Sequence, residues 1–227
     1  MTYDGTRGGL SPDGTTLVLA PAPKGGGLAA ESRLLVLDAK TLRTRRTVVL
    51  PGDFSFDALS PDGRTLFLIQ HTSAVDFQRY RVRAYDLVHG RLRPQAIIDK
   101  TEPNMSGYPV LRLTGPGAAS VYTLYAHQGG EPFVHALDTV HARARCLDVE
   151  WHGNQELLWT SRLALRDEGR RLVLLSKQGH ELAGLTLSQT RSGSSMAVWA
   201  AGGASLLALA ASAFLLRRRR RSRPRRV

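Results

Sequence analysis

The chain has 227 residues, of which 42% are hydrophobic and 22% are charged. This length allows one domain with a sizeable core, or one domain with an appendage. The apolar fraction excludes a disordered chain, which has few apolar residues for its charge. The single cysteine, Cys146, excludes a disulfide framework within the chain and a cysteine-rich metal site.

The net charge of +12 is concentrated at the C-terminus. Residues 217–227 contain eight arginines and no acid, and 31 basic residues less these eight leaves 23 against 19 acidic residues elsewhere. The body therefore has a net charge of 23 − 19 = +4, which offers no extended basic surface for nucleic acid. We expect no nucleic-acid partner.

The first pattern along the chain is a repeated turn. Leu-Ser-Pro-Asp-Gly-x-Thr-Leu occurs at residues 10–17 and again at residues 59–66. In such a turn proline presets φ, aspartate caps the turn, and glycine takes the left-handed conformation that closes it onto the next strand. The predicted turn residues are Ser11, Pro12, Asp13 and Gly14, and then Ser60, Pro61, Asp62 and Gly63.

A strand that ends in aspartate follows each turn, at Arg33–Asp38 and at Arg81–Asp86. A third copy is weaker, with a turn at Thr114–Gly117 and a strand at Phe133–Asp138, and a fourth begins at Asp167–Gly169. About four short strands in each repeat of roughly 50 residues are the dimensions of a β-propeller blade. The predicted fold is all-β: a partial β-propeller of about four blades, each with four antiparallel strands. The repeats are predicted at about 5–55, 56–105, 106–155 and 156–190.

These motifs resemble the WD40-like, YVTN-type and TolB-like β-propeller repeats. The turn-and-strand motif carries the likeness, and residues 86–92, Asp-Leu-Val-His-Gly-Arg-Leu, are similar to the YVTN-type version. Residues 132–138, with the C-terminal apolar segment and arginine tail, resemble membrane-anchored propeller proteins of actinobacteria. The resemblance covers about residues 5–190. It implies a fold and little about activity, because propellers host many unrelated functions.

Three acids, Asp38, Asp86 and Asp138, recur at the blade period. Each is predicted to end a strand and to cap the following turn. If they converged at a channel mouth, they could instead bind a cation through oxygen ligands. We favour the capping role, with Ser176 in the fourth position of the series.

The sequence contains no familiar catalytic motif: no G-x-S-x-G, no H-E-x-x-H and no phosphate-binding glycine loop. His135 and His141 lack the second ligand pair of a zinc site, so His135 is expected to be a packed or blade-surface histidine. Cys146 is expected to be a buried, inert thiol. We therefore expect no catalytic residue, no metal, no cofactor and no enzymatic activity.

The C-terminal region has the features of a membrane anchor. Residues 196–216 carry no charge, and a helix of that length spans about 30 Å, the thickness of the hydrocarbon core. Residues 191–195 are predicted to be a flexible linker. The tail 217–227 should stay in the cytoplasm, where it also attracts anionic lipid. Its stop-transfer residues are Arg217, Arg218, Arg219, Arg220 and Arg221.

The two ends of the chain give conflicting signals. The anchor places the body outside the cytoplasm, yet the first nine residues contain no apolar segment that would start export. We therefore expect a fragment that lacks a signal peptide and N-terminal blades. The rival interpretation is a complete four-blade chain whose body lies in the cytoplasm.

The predicted function is binding, because a propeller presents loops on the two faces of a rigid scaffold. We expect a single-pass cell-membrane protein with an extracytoplasmic body that binds a protein or cell-envelope ligand. The alternatives are a lactonase-like hydrolase with its site on absent blades, and a cytoplasmic scaffold tethered to the membrane.

Overall fold

The computed structural model describes residues 9–21, 27–101 and 104–187. Its strands form four antiparallel sheets, and within each sheet every strand pairs with its neighbour in the chain. Sheet 1 holds β1 (Thr16–Leu19), β2 (Glu31–Asp38) and β3 (Thr44–Pro51). Sheet 2 holds β4 (Asp53–Leu59), β5 (Thr65–His71), β6 (Tyr80–Asp86) and β7 (Arg91–Ile97). Sheet 3 holds β8 (Tyr108–Thr114), β9 (Ser120–Ala126), β10 (Phe133–Asp138) and β11 (Arg143–Asp148). Sheet 4 holds β12 (Arg162–Arg166), β13 (Arg171–Leu175) and β14 (Glu181–Thr186).

The core lies between consecutive sheets. One cluster of buried apolar residues joins sheets 1 and 2, a second joins sheets 2 and 3, and a third joins sheets 3 and 4. In β5, Leu66 packs toward sheet 1 while its neighbour Phe67 packs toward sheet 3, and both are fully buried. A strand that is covered on both faces needs a continuous apolar run, which β5 and β13 have. Four-stranded antiparallel sheets stacked in chain order are the blades of a β-propeller, so the fold is a partial β-propeller repeat.

The predicted count of four strands per blade is confirmed for sheets 2 and 3. Among the described residues, sheets 1 and 4 have three strands each, whereas sheets 2 and 3 have four. In sheet 1 the place of the first strand is held by Leu10, whose single bridge to Leu17 is too short to make a strand. In sheet 4 the described residues end one residue after the third strand.

The residues up to Leu187 form one compact unit. The predicted linker at 191–195, the anchor at 196–216 and the arginine tail lie outside the described residues. Within the described part of the chain, the helical segments are short 3₁₀ turns, and none is long and apolar enough to cross a membrane.

Candidate functional site

Two kinds of tight connection lie at the same edge of sheets 1, 2 and 3, and the described part of sheet 4 contains the first kind. In an antiparallel series of strands, the turn between the first and second strands and the turn between the third and fourth meet at one edge. Backbone hydrogen bonds join them, because the amide of Leu87 donates to the carbonyl of Arg64, and that of Thr139 to Ala119. We call this edge the turn face and the opposite edge the loop face.

The Ser-Pro-Asp-Gly turns lie on the turn face. The Ser60 hydroxyl donates to Oδ1 of Asp62 at 2.5 Å and accepts the amide N–H of Thr65 at 2.9 Å. Ser11 forms the same pair of bonds in the first turn. Both serines are buried, and the glycines that close the turns have φ of +67° and +66°, in the left-handed region. The turns are therefore held rigidly by their own side chains.

The weaker third and fourth copies of the turn occupy the same place in their sheets. Residues 115–119 connect β8 to β9, and residues 167–170 connect β12 to β13. Both contain a short 3₁₀ turn with left-handed backbone, at Ala118 (φ +54°) and at Glu168 (φ +56°). The third and fourth turns thus differ from the Ser-Pro-Asp-Gly turns in backbone conformation, but they occupy the same position in their sheets.

The three recurring acids end β2, β6 and β10, which occupy corresponding places in sheets 1, 2 and 3. Oδ1 of Asp86 accepts the amide N–H groups of Val88 and His89, both at 2.9 Å, and Oδ2 lies 2.8 Å from Nδ1 of His89. Asp138 makes the same three contacts in its own turn, and Asp38 accepts two turn amides in the same way. These bonds lower the pKa of Asp86 to about 2, chiefly through the His89 amide.

Each of these acids is thus engaged within its own turn rather than at a shared point. Among residues 9–21, 27–101 and 104–187, no group of three histidine, cysteine, aspartate or glutamate side chains is placed to hold a metal ion. What the acids do in the structure is to fix the turns on the turn face.

Ser176 does not hold the fourth position of this series. It lies between β13 and β14, on the loop face, where its hydroxyl accepts the amide N–H of His180 at 3.1 Å. The position equivalent to Asp86 is Thr186, because Asp86 pairs with the first residue of β5 and Thr186 pairs with Arg171, the first residue of β13. Serine and aspartate both cap turns, so residue type alone assigned Ser176 to the wrong turn.

A cleft of about 220 Å³ opens on the turn face between the first three sheets. Residues at the first turn of sheet 1, at the end of β4 and at the first turn of sheet 3 line it, and none of them is charged. They are Leu10, Pro12, Ala58, Leu59, Thr114, Gly115, Gly117, Ala118 and Val121. The cleft is smaller than the roughly 300 Å³ of a typical small-molecule pocket.

A cluster of polar side chains is buried between sheets 2 and 3. The carboxylate of Asp57, in β4, lies 3.1 Å from Nη2 of Arg112, in β8, and accepts the Thr123 hydroxyl at 3.3 Å. The side chains of Asp57 and Arg112 are 1% and 5% exposed. The first strands of two adjacent sheets are therefore joined by an ion pair that is shielded from water.

Aromatic rings and a histidine surround this ion pair. The rings of Tyr80 and Tyr125 stack with centroids 4.4 Å apart, and the ring of His135 meets both edge-on at 6.3 Å. Both tyrosine hydroxyls and both His135 ring nitrogens lack a hydrogen-bond partner among the described residues. Burial raises the pKa of the two tyrosines. Burial also lowers the pKa of His135 to about 4, although the nearby Asp57 carboxylate acts in the opposite direction on His135. His135 is thus a packed, neutral histidine within the sheet 2–sheet 3 contact.

Cys146 is half-buried rather than buried. It lies opposite His135 across the β10–β11 pair, and its amide N–H donates to Oδ2 of Asp99 at 2.8 Å. No role was predicted from the sequence for Asp57, Arg112 or Tyr125. The signal that could have pointed to the ion pair is an acid in β4 and an arginine in β8, each among mostly apolar residues.

Comparisons with known proteins find similarity in solved structures alone. No model of a known protein family matches the chain, and no curated protein matches it. The hydrazine synthase of Kuenenia stuttgartiensis is 18% identical with a TM-score of 0.47, covering 74% of this chain and 40% of that one. TolB from Acinetobacter baumannii is 15% identical with a TM-score of 0.41, covering 83% of this chain and 45% of that one. Puromycin hydrolase is 16% identical with a TM-score of 0.42, covering 78% and 27%. The chain thus spans less than half the length of each of these three proteins.

The buried ion pair leads to a prediction about stability. Arg112→Met leaves the Asp57 carboxylate buried without its cation, so we expect the unfolding free energy to fall by about 3–5 kcal/mol. The double variant Asp57→Leu with Arg112→Met removes both charges and should recover most of this loss. Denaturant unfolding of the full chain measures both values. A double variant as unstable as the single one would contradict the role given to the pair.

The burial of His135 leads to a prediction about pH. Its pKa is about 4 in the folded protein against an ordinary value of 6.5, so the unfolded chain binds more protons between these values. The stability associated with neutral His135 is therefore complete above pH 6.5 and is lost as the pH falls to 4, by about 3 kcal/mol. The measurement is the unfolding free energy against pH for the natural chain and for His135→Leu. Parallel curves for the two proteins would show that His135 is not the group responsible.

Proposed function

We propose that the chain is a membrane-anchored β-propeller that binds a protein or cell-envelope ligand on its turn face. The observation that carries the proposal is the cleft of about 220 Å³, to which three sheets contribute residues. The two Ser-Pro-Asp-Gly turns beside it are fixed by buried serine hydroxyls. A site held by such turns loses little conformational entropy when a ligand binds.

Exposed apolar side chains on neighbouring turns support the choice of this face. Val88 and Val140 follow the capping acids of sheets 2 and 3 by two residues and are 55% and 58% exposed. The aspartate caps hold these valines at the tips of their turns. Exposed apolar side chains at turn tips, on the same face as an uncharged cleft, are a combination that suits binding to a larger partner.

The membrane part of the proposal comes from the sequence of residues 196–227. An uncharged segment long enough for the bilayer is followed by an arginine-rich tail, which the positive-inside rule keeps in the cytoplasm. The body is then extracytoplasmic, and anionic lipid is the partner of the tail. In this proposal the protein binds its ligand without chemical turnover.

Photo-crosslinking in cells tests the binding face. A photoreactive amino acid at Thr114, which is exposed at the edge of the cleft, should give a specific adduct in the full chain. The matched control is Val75, which is 95% exposed in the loop between β5 and β6 on the loop face. Adducts from Val75 and none from Thr114 would place the ligand on the loop face and would contradict the proposal. Chelator-sensitive hydrolysis of lactones or esters by the full chain would contradict binding without turnover.

Cysteine labelling tests the proposed topology. In a Cys146→Ser background, Ser194→Cys lies before the apolar segment and Ser222→Cys lies after it. A membrane-impermeant maleimide added to intact cells should label the first variant, and it should label the second only after lysis. The reverse pattern would move the body to the cytoplasm and favour the tethered scaffold.

A further inference from the structure

Three exposed aromatic side chains lie on the loop face. Phe77 lies between β5 and β6, Tyr108 begins β8, and Trp159 lies in the 3₁₀ turn between β11 and β12. They are 46%, 36% and 54% exposed, and within the part of the chain that the structure describes no other phenylalanine, tyrosine or tryptophan is exposed. Leu157 is exposed in the same 3₁₀ turn as Trp159. We call Phe77, Tyr108, Leu157 and Trp159 the aromatic belt.

Hydrogen bonds connect the segments that carry Phe77 and Tyr108. The amide N–H of Gly107, beside Tyr108, donates to the carbonyl of Gln78, beside Phe77, at 2.9 Å. The side chain of Gln78 also accepts the amide N–H of Gln128, in the connection between β9 and β10, at 2.8 Å. The loop-face connections of sheets 2 and 3 therefore form one continuous surface.

The 3₁₀ turn that carries Leu157 and Trp159 is fixed to the same surface. At the start of this turn, the side chain of Gln155 donates to the carbonyls of His127 and Gly130, both at 3.0 Å. Leu158, between the two exposed residues, is fully buried in the third core. Because Leu158 anchors the turn, the side chains before and after it are held outward by the fold.

Acidic side chains lie on the same segments as the aromatic belt. These segments hold five acids and one base, a net charge of 1 − 5 = −4, over residues 72–79, 104–108, 127–132 and 148–161. The base is Arg79, whose Nε lies 3.3 Å from the carboxylate of Asp76. The four remaining acids are exposed, and none of them forms an ion pair with a described residue. They are Glu131, Asp148, Glu150 and Glu156.

Charge and aromatic surface together indicate the chemistry of a partner. The net charge of −4 on these segments disfavours a polyanion or an anionic lipid surface by repulsion. An arginine or lysine side chain suits both features, because its aliphatic stem packs on apolar surface while its charge is attracted by aromatic faces and by carboxylates. We propose that the aromatic belt docks an arginine- or lysine-rich segment of a partner protein. This second binding surface lies at the opposite edge of the sheets from the turn-face cleft.

Binding of a fluorescent nona-arginine peptide tests this docking surface. Fluorescence polarisation measures the dissociation constant for the full chain in a neutral detergent, with the same C-terminal tail in every variant. Trp159→Ala removes the most exposed ring of the belt, and the double variant Glu131→Gln with Glu156→Gln removes two of the charges. Each variant should raise the dissociation constant about five- to tenfold, because it removes cation–π and apolar contact or two charge pairs.

The matched control variants lie on the turn face. Leu42→Ala removes an exposed apolar side chain there, and Asp167→Asn with Glu168→Gln removes two exposed charges. Both controls should bind nona-arginine within about twofold of the natural chain. Denaturant unfolding should give the same midpoint for the belt variants and for the controls, because all the substituted side chains are exposed.

Each of three results overturns the proposal: a natural chain that does not bind nona-arginine, binding that the belt variants leave unchanged, or an equal loss of binding in the belt and control variants. A soluble neutral polysaccharide that binds the natural chain in preference to nona-arginine, and that Trp159→Ala no longer binds, would overturn it in favour of a glycan. None of these results bears on the ligand site of the turn face, which the Thr114 crosslink tests separately.

Discussion

The two central sheets are apolar on both of their faces, and this constraint governs the rest of the structure. A sheet with two apolar faces is stable only when something covers it on both sides. Stacking the sheets in chain order meets that demand for sheets 2 and 3, whose central strands are buried almost completely. Among the described residues, the first and last sheets each have a neighbouring sheet on one side. On the other side of sheet 4, Arg171 pairs with the carboxylate of Glu181 across β13 and β14.

The same constraint is the reason that we propose a binding site on the turns. Side chains on both faces of the central strands are buried in the cores, so the ends of the sheets are the parts that a ligand can reach. On the turn face these ends are short and internally bonded, through the Ser60 and Ser11 hydroxyls and the Asp86 and Asp138 carboxylates. Rigid turns from three sheets then border one uncharged cleft. Stability of the turns and the shape of the cleft therefore depend on the same few hydrogen bonds.

The features that the sequence predicts well are those that local chemistry determines. Ser60, Asp62 and Thr65 contact one another within six residues, so their turn can be read directly from the chain. The capping role of Asp86 likewise depends on the two amides that follow it. Ser176 shows the limit of this approach, since the same capping chemistry serves turns at both edges of a sheet.

The buried cluster escaped prediction because its members meet only in the folded chain. Asp57 lies at a break in register, where pairing passes from Phe56–Leu68 to Ala58–Phe67. The bulge directs the side chain of Asp57 into the core, and the alternation of inward and outward residues in a regular strand would not have predicted this direction. Its partner Arg112 comes from another repeat, and β8 contains its own bulge beside Val110. No local pattern links two residues that two irregular strands bring together.

The ion pair also limits how the sheets can stack. The faces of these sheets are mostly aliphatic, so apolar burial alone discriminates weakly between one pairing of sheets and another. Placing the apolar face of sheet 4, with Leu172 and Leu174, on sheet 2 would leave Asp57 buried without a cation. A buried, unpaired charge costs several kcal/mol, which is a large part of the 5–15 kcal/mol that typically stabilises a domain. The pair adds little net stability over an apolar contact of the same volume, but it penalises the wrong order of sheets and so favours the stack in chain order.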